Sequence, residues 1–415
     1  MGRVDTRACH RYGRVGERPG MNSHFPWKTA MKPSSSGGEP FASRSLPELR
    51  AMIDALDHEI LQLLARRNAL VAEIAQCKRE HATPIRDLTR ERELLTDRRT
   101  RAAALGLSPE LIESIYRLIL WGSRDRQAAL KAELPLDSEP RTVAIIGGKG
   151  GMGGCLAKMF ADLGHAVMIA DRDTQLTNEQ AAKVADVVVI SVPIEATEAV
   201  VRQVGPHVRD ESLLMDVTSI KAGPLKTMLE STAASVVGTH PLFGPSVHSL
   251  QGQRIVLTPG RGDEWLSWLE QMLRARGLTV MKSTPERHDR AMAIVQVLVH
   301  FATEVMGKTL TRLGVSLDET LAFTSPIYLM ELLMTARHFG QSPELYAAIQ
   351  MSNPATPEVL RGFLAAAREH EAMVIGGDRD GITAAFREVR EFFGPFTEQA
   401  LEQSSFLIDR IVERA

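Results

Sequence analysis

The sequence predicts a multidomain protein: an all-α domain, then an α/β domain on a mostly parallel sheet, then a second all-α domain. Three observations predict it. Apolar residues recur at helical spacing from Ile53 to Ile74, with no glycine or proline between Glu48 and Thr83. From Arg141 onward, short β-branched runs alternate with helical runs, the pattern of βαβ units. After Lys282 the 3.6-residue period returns and continues to the end of the chain. A length of 415 residues suits two or three domains.

Composition narrows the function. Lysine plus arginine number 49 and aspartate plus glutamate 51, so the net charge of −2 gives no support for nucleic-acid binding. No uninterrupted apolar run approaches a membrane span, so no membrane association is expected. Cys9, Cys77 and Cys155 are far apart and lack metal-ligand spacing. No metal site is expected, and a reducing cytoplasm is the expected compartment.

Residues 1–43 carry five arginines by position 18 and the run from Pro33 to Pro40. Neither structural period survives there, so this N-terminal extension is expected to be disordered. A start further on, at Met21 or Met31, is one explanation of the segment, and a transit peptide is the other.

Residues 44–133 form the first helical domain. Ser45 and Glu48 are spaced as a capping box. Ile53, Leu56, Ile60, Leu63, Val71 and Ile74 then mark one face of a helix of about 35 residues, roughly 50 Å long, which requires a partner. Arg67 and Lys78 interrupt that face within roughly 20° of one another, and buried basic groups need anionic partners. Arg50 lies about 25 Å from Arg67 along the axis and a quarter-turn around it, so a second subunit is the natural way to bring it to the same pocket. Asp87, Arg90 and Glu91 share a face of the next helix, and Ser123 and Gln127 share a face of the third. Solvated surface is the ordinary fate of such charges. Several of them on inward-facing stripes indicate a ligand.

This segment resembles the all-helical chorismate mutase domain that is fused to aromatic amino-acid enzymes. Arg50, Arg67, Lys78, Asp87, Arg90, Glu91, Ser123 and Gln127 match that family's active-site positions. The resemblance implies an intertwined dimer in which the first arginine is lent by the other subunit. It also implies a set of roles. Arg50, Arg67 and Arg90 would clamp the two carboxylates of chorismate. Lys78 and Gln127 would stabilise charge on the breaking ether oxygen. Glu91 and Asp87 would meet the ring hydroxyl, and Ser123 would complete the carboxylate site.

Residues 134–140 read as a linker, and residues 141–285 as a dinucleotide-binding domain. The strand from Thr142 to Ile146 runs into Gly147-Gly148-Lys149-Gly150-Gly151-Met152-Gly153, where Gly148, Gly150 and Gly153 fit G-x-G-x-x-G before a helical run. Such a loop admits a pyrophosphate to a helix N-terminus. Asp171, 23 residues after Gly148, closes the second strand, where an acid can bind ribose hydroxyls and favours NAD over NADP. Later strands end at Ser191 and Pro193, at Thr218 and Ser219, and at His240. Strand ends are where ligands of such Rossmann-like sheets sit, so His240 is a candidate base.

The region resembles prephenate dehydrogenase on two motifs: His240-Pro241-Leu242-Phe243-Gly244-Pro245 and Ser219-Ile220-Lys221. With the first domain it is identified as a member of the bifunctional chorismate mutase/prephenate dehydrogenase (T-protein type) family, over nearly all of residues 45–415. The resemblance implies NAD-dependent oxidative decarboxylation of prephenate to 4-hydroxyphenylpyruvate in tyrosine biosynthesis. In that scheme His240 accepts the ring-hydroxyl proton, and Ser219 orients it through a hydrogen bond. Residues 286–415 would form a helical dimerisation domain that completes the site, with helix breaks near Gly314, Ser342, Asn353 and Gly376. His288 and His300 match a family pair of histidines, and Gln296, His300, Arg337 and Tyr346 match positions near the substrate, Arg337 for a carboxylate. A homodimer and tyrosine as feedback inhibitor are also implied. One departure is Leu329, where fused relatives carry a basic residue after Ser-Pro-Ile-Tyr. Two other readings stand beside this one: a prephenate or arogenate dehydrogenase whose helical domain is only regulatory, and a nucleotide-sensing regulator without catalysis.

Overall fold

The computed structural model describes residues 44–80, 87–130 and 139–412. The N-terminal extension and most of the 134–140 linker lie outside the described residues. The chain divides into two compact units, one up to Leu64 and one from Ala65.

The described part of the first unit is the start of helix α1 (Leu46–Glu80). The expected capping box is present: Ser45 N–H donates to Glu48 Oε2 at 2.8 Å, and Glu48 N–H donates to Ser45 Oγ at 3.4 Å. The apolar stripe is not buried. Ile53, Leu56, Ile60 and Leu63 are 57%, 58%, 53% and 61% exposed. Covering each would contribute about 1.5–3 kcal/mol.

The second unit starts with the rest of α1, then α2 (Leu88–Ala104) and α3 (Pro109–Leu130). Asp87 caps α2 by accepting Arg90 N–H at 2.9 Å, and Ser108 caps α3 by accepting Leu111 N–H at 3.2 Å. Arg99 ties the two helices through Glu110 and Glu113. Trp121 of α3 stacks on His248, with ring centroids 5.6 Å apart.

The sheet domain follows the order β1 (Thr142–Ile146), α4 (Gly151–Asp162), β2 (Ala166–Ala170), α5 (Asn178–Val184), β3 (Val187–Ile190), α6 (Ile194–Val204), β4 (Leu213–Asp216), α7 (Ala222–Ser231), β5 (Ser235–Pro241), β6 (Arg254–Arg261), α8 (Asp263–Ala275), β7 (Thr279–Lys282). Strand order is β2-β1-β3-β4-β5-β6-β7. The first five strands are parallel, so their carboxyl ends share one edge. β3 and β4 are buried throughout, as the continuous apolar runs required. Helices cover both faces, giving one core around Phe160 and Met272 and another around Val188 and Met228.

β6 and β7 extend the sheet beyond the strands read from sequence. β6 contains Pro259 and Gly260, which speak against a strand. It survives because it pairs antiparallel with β5 across a register shift at Val236/Val237, where the extra residue is accommodated.

The C-terminal domain is helical: α9 (Pro285–Met292), a π-helical stretch (Ala293–Leu298), α10 (Val299–Leu313), α11 (Leu317–Ala322), α12 (Pro326–Phe339), α13 (Pro343–Ser352), α14 (Thr356–Gly376), α15 (Arg379–Phe393) and α16 (Phe396–Val412). Gly314 and Gly377 take the left-handed conformation that ends α10 and α14, at two of the expected breaks. Pro285–Leu313 is long and apolar enough to cross a membrane by length and composition alone. Glu286, Asp289, Arg290 and Glu304 break up its apolar runs, so no continuous apolar span is read there.

Candidate active sites

The first cluster lies on α1, α2 and α3. Arg67 donates a short hydrogen bond to Ser123 Oγ, and Ser123 in turn donates to the Ile119 carbonyl at 2.6 Å. Burial lowers the pKa of Arg67, with Tyr116 and Arg98 as lesser neighbours. Lys78 is half-buried, and burial lowers its pKa while the charges of Asp87 and Glu91 oppose that shift. Gln127 is buried one turn beyond Ser123, and its Oε1 has no hydrogen-bond partner among the described residues. An amide oxygen only accepts, so a ligand hydroxyl would satisfy Gln127 Oε1, whereas Arg67 and Lys78 suit a ligand's anionic groups.

Three residues depart from expectation or were missed. Arg90 is not brought into the group: its side chain is 70% exposed and faces Glu93 at 3.6 Å, because its turn of α2 lies at the solvent side of the Asp87 cap. Arg124 pairs with Glu91 at 2.6 Å, with both side chains largely buried. Arg98 sits over the Tyr116 ring and adds positive charge near Arg67. Arg98 and Arg124 were legible only as generic helix charges. Arg50 is exposed on the first unit.

The second site begins at the carboxyl edge of the sheet. Gly147 has φ +81°, and a Cβ there would collide with the Ser191 carbonyl. Gly148 and Gly153 leave room for close packing against Ile169 and the Gly147 carbonyl. Gly150 begins α4 with no side-chain cap, leaving first-turn N–H groups for a ligand. Asp171 is held by backbone N–H groups, from Lys149 at 3.0 Å and Arg172 at 2.8 Å. Gly147, Gly150, Asp171, Arg172, Ser191 and Pro193 line a crevice of about 390 Å³ between the ends of β1, β2 and β3, where strand order reverses. These residues fit a dinucleotide. Met152 instead packs on the sheet core, since its helical position turns its side chain away from the loop. Gly151 borders Pro245 of the loop that follows His240.

His240 sits at the end of β5 and is 3% exposed. Its Nδ1 lies 2.9 Å from His288 Nε2, and His288 Nδ1 lies 2.8 Å from Asp289 Oδ1. Gln296, in the π-helical stretch, approaches His240 Nε2 at 3.4 Å. Burial pushes the His240 pKa well below the ordinary imidazole value, and the neighbouring His288 and Lys221 push it the same way. His240 is therefore neutral near pH 7, the state a base requires. The buried Lys221 ammonium is paired with Asp216. Ser219 makes no hydrogen bond to His240. In the turn after β4, Thr218 and Lys221 point inward onto Asp216 and leave Ser219 half-buried.

His300 follows Gln296 by four residues and packs in an aromatic cluster. Its ring centroid is 4.5 Å from Tyr346, and His338 is 4.2 Å from Tyr346. Burial and His338 lower the His300 pKa to about 4, while Glu304 opposes them. His300 Nδ1 is buried without a hydrogen-bond partner among the described residues. Glu304 accepts from Gln350 at 2.7 Å and meets His338 Nε2 at 3.0 Å. The sequence singled out neither Glu304 nor His338. Arg337 is exposed on α12, since its neighbour His338 takes the inward position.

Comparison with known proteins matches three family models in order: chorismate mutase type II over residues 49–128, the nucleotide-binding domain of prephenate dehydrogenase over 152–282, and its dimerization domain over 284–388. The T-protein of Haemophilus influenzae is 34% identical over 368 residues, covering 88% of this chain and 97% of that protein. The T-protein of Enterobacter agglomerans is 36% identical over 365 residues, again covering 88% and 97%. A crystal structure of prephenate dehydrogenase from Aquifex aeolicus, in complex with hydroxyphenyl propionate and NAD+, covers 61% of this chain and 97% of its own at TM-score 0.51. At 19% identity that likeness supports the fold. The dimerization model spans Pro285–Leu313, so the long apolar helix belongs to an assembly domain. The chain belongs to the T-protein family, which joins a type II chorismate mutase to a prephenate dehydrogenase.

Proposed function

We propose that the helical cluster rearranges chorismate to prephenate and that the buried His240 site then takes prephenate to 4-hydroxyphenylpyruvate. The observation that carries this is the pairing of a neutral, buried His240 with a dinucleotide crevice on the same sheet edge.

In the mutase half, Arg67 and Ser123, with Arg50 from a second subunit, hold the carboxylates in a reactive conformer. Lys78 and Gln127 stabilise the ether oxygen as its bond to carbon breaks. Glu91, fixed by Arg124, and Asp87 receive the ring hydroxyl. Arg90 reaches this group only by leaving Glu93.

In the dehydrogenase half, first-turn amides after Gly150 would hold the pyrophosphate, Asp171 the ribose, and Ser191 and Pro193 the crevice wall. When bound, NAD+ supplies the hydride acceptor for the carbon that bears the ring hydroxyl, and loss of CO2 makes the ring aromatic. His240 Nε2 takes the hydroxyl proton. Gln296 and Ser219 offer polar contacts to the ring end, and His300 and Tyr346 to the side chain. Arg337 is the guanidinium we assign to a carboxylate, which requires it to move inward or to serve a partner subunit.

The exposed stripe on α1 supports a homodimer, and so does the match to a dimerization domain. L-tyrosine, the end product, is assigned as feedback inhibitor, and the cytoplasm as the compartment. Two separate assays test the reading on purified protein. Disappearance of chorismate without NAD+ and appearance of NADH from prephenate are both expected. Silence in the first leaves a dehydrogenase with a regulatory helical domain, and silence in both leaves a regulator.

A further inference from the structure

The hydrogen bonds around His240 form a directional chain whose far end is anchored in backbone. Asp289 Oδ1 accepts Lys221 N–H at 2.7 Å, and Asp289 Oδ2 accepts Ala222 N–H at 2.9 Å. Both donors stand at the start of α7, where a carboxylate is favoured. Asn353 Nδ2 donates to the Asp289 carbonyl at 2.8 Å, which fixes its backbone as well. The carboxyl group therefore cannot turn without losing buried hydrogen bonds.

An ionised carboxylate only accepts, so the His288 nitrogen facing it, Nδ1, carries the proton. A neutral His288 then has a bare Nε2, which can only accept. The group facing that nitrogen is His240 Nδ1, which must therefore be the donor. The proton of His240 is thus committed to Nδ1, and its lone pair is left on Nε2.

We propose that His288 and Asp289 are positioning residues that lock His240 in the Nδ1–H tautomer, leaving Nε2 as the proton acceptor of the dehydrogenase. This rests on the assignment of His240 as the base. As the substrate hydroxyl gives its proton to Nε2, the O–H bond breaks and an N–H bond forms. The positive charge arising on His240 faces His288 and, beyond it, the Asp289 carboxylate. Among the described residues, the other charged group acting on His240 is Lys221, itself paired with Asp216 at the end of β4. Lys221 opposes a positive charge on His240 in the resting pair. Gln296 is uncharged, and its amide Nε2 faces His240 Nε2 at 3.4 Å, as a donor to that lone pair.

Two measurements on the full-length protein test the proposal. The first is the ¹⁵N shift pair of His240 in ¹⁵N-histidine-labelled protein near pH 7.5, assigned by loss of its signals in His240→Asn. Protonated Nδ1 and bare Nε2 are expected, and a protonated Nε2 overturns the proposal whatever the kinetics show. The second is a pair of substitutions. His288→Leu fills the space but accepts nothing, so dehydrogenase kcat should fall on the order of 10²-fold, with the KM for prephenate and NAD+ within about twofold. His288→Gln keeps an acceptor facing His240 Nδ1 and should restore kcat to within about tenfold of the parent. Equal loss in both variants would make His288 a packing residue and sink the lock. Chorismate mutase activity in each variant reports that the chain has folded. Failure of the base assignment is seen separately: a His240→Asn protein that keeps its turnover removes the base and leaves the tautomer result intact.

Discussion

The two sites solve opposite problems. The mutase cluster uses full charges on helix surfaces, some of them partly solvated. The dehydrogenase site uses one neutral imidazole, sunk at a strand end and held by a chain of buried hydrogen bonds. A pericyclic rearrangement needs a mould of fixed charge around its transition state. Removal of a proton needs a base whose protonation state is set. The difference teaches that the first activity depends on charge and assembly, and the second on proton position.

Substitutions sharpen this contrast, beginning with the largest effect. His240→Asn should lower dehydrogenase kcat by about 10²–10⁴-fold and leave the mutase untouched, read as NADH formation from prephenate against disappearance of chorismate. Conversely, Lys78→Ala should cost the mutase about 10²–10³-fold, with prephenate oxidation unchanged. If either substitution harmed both activities equally, the two sites would not be chemically separate. Asp171→Ala should raise the KM for NAD+ by about 10–10²-fold at constant kcat, since a hydrogen bond to a charged acceptor contributes about 1.5–3 kcal/mol.

Acid should act on the dehydrogenase side through the buried histidines. His300 has a folded-state pKa of about 4, against an ordinary value of 6.5, and His240 is shifted the same way. Below pH 6.5 the unfolded chain binds more protons, so stability falls as pH drops toward 4. The thermal midpoint should therefore decline across that window. His300→Phe should flatten the decline, and an unchanged slope would remove His300 from the account. The smallest effect is ionic. Raising salt from about 0.05 to 0.5 M should weaken mutase kcat/KM more than NAD+-saturated prephenate turnover, because partly exposed charges are screened.

Legibility in the sequence followed the strength of local signals. The long helix, the glycine loop and the buried parallel strands each state their period or turn in adjacent residues, and the structure bears those elements out. β6 was hidden because Pro259 and Gly260 read as a break, and only pairing across the bulge makes them a strand. His240 was legible from its proline-bounded loop. Its partner was not, because His288 lies 48 residues away and meets it only through the packing of α9 against the sheet domain. Ser219 drew the orienting role since it stood nearest in the motif, while the fold turned Thr218 and Lys221 inward instead. Arg90 shows the same limit: helical spacing puts it on the face of Asp87 and Glu91, yet a first-turn side chain beside a cap can leave for solvent.

The central claim is that one chain performs both reactions in series. The most direct test mixes the purified protein with chorismate and NAD+ alone and follows absorbance of NADH. Steady NADH formation is the predicted result, because chorismate must first become prephenate. No NADH from chorismate, with none after prephenate is added to the same cuvette, would contradict the account.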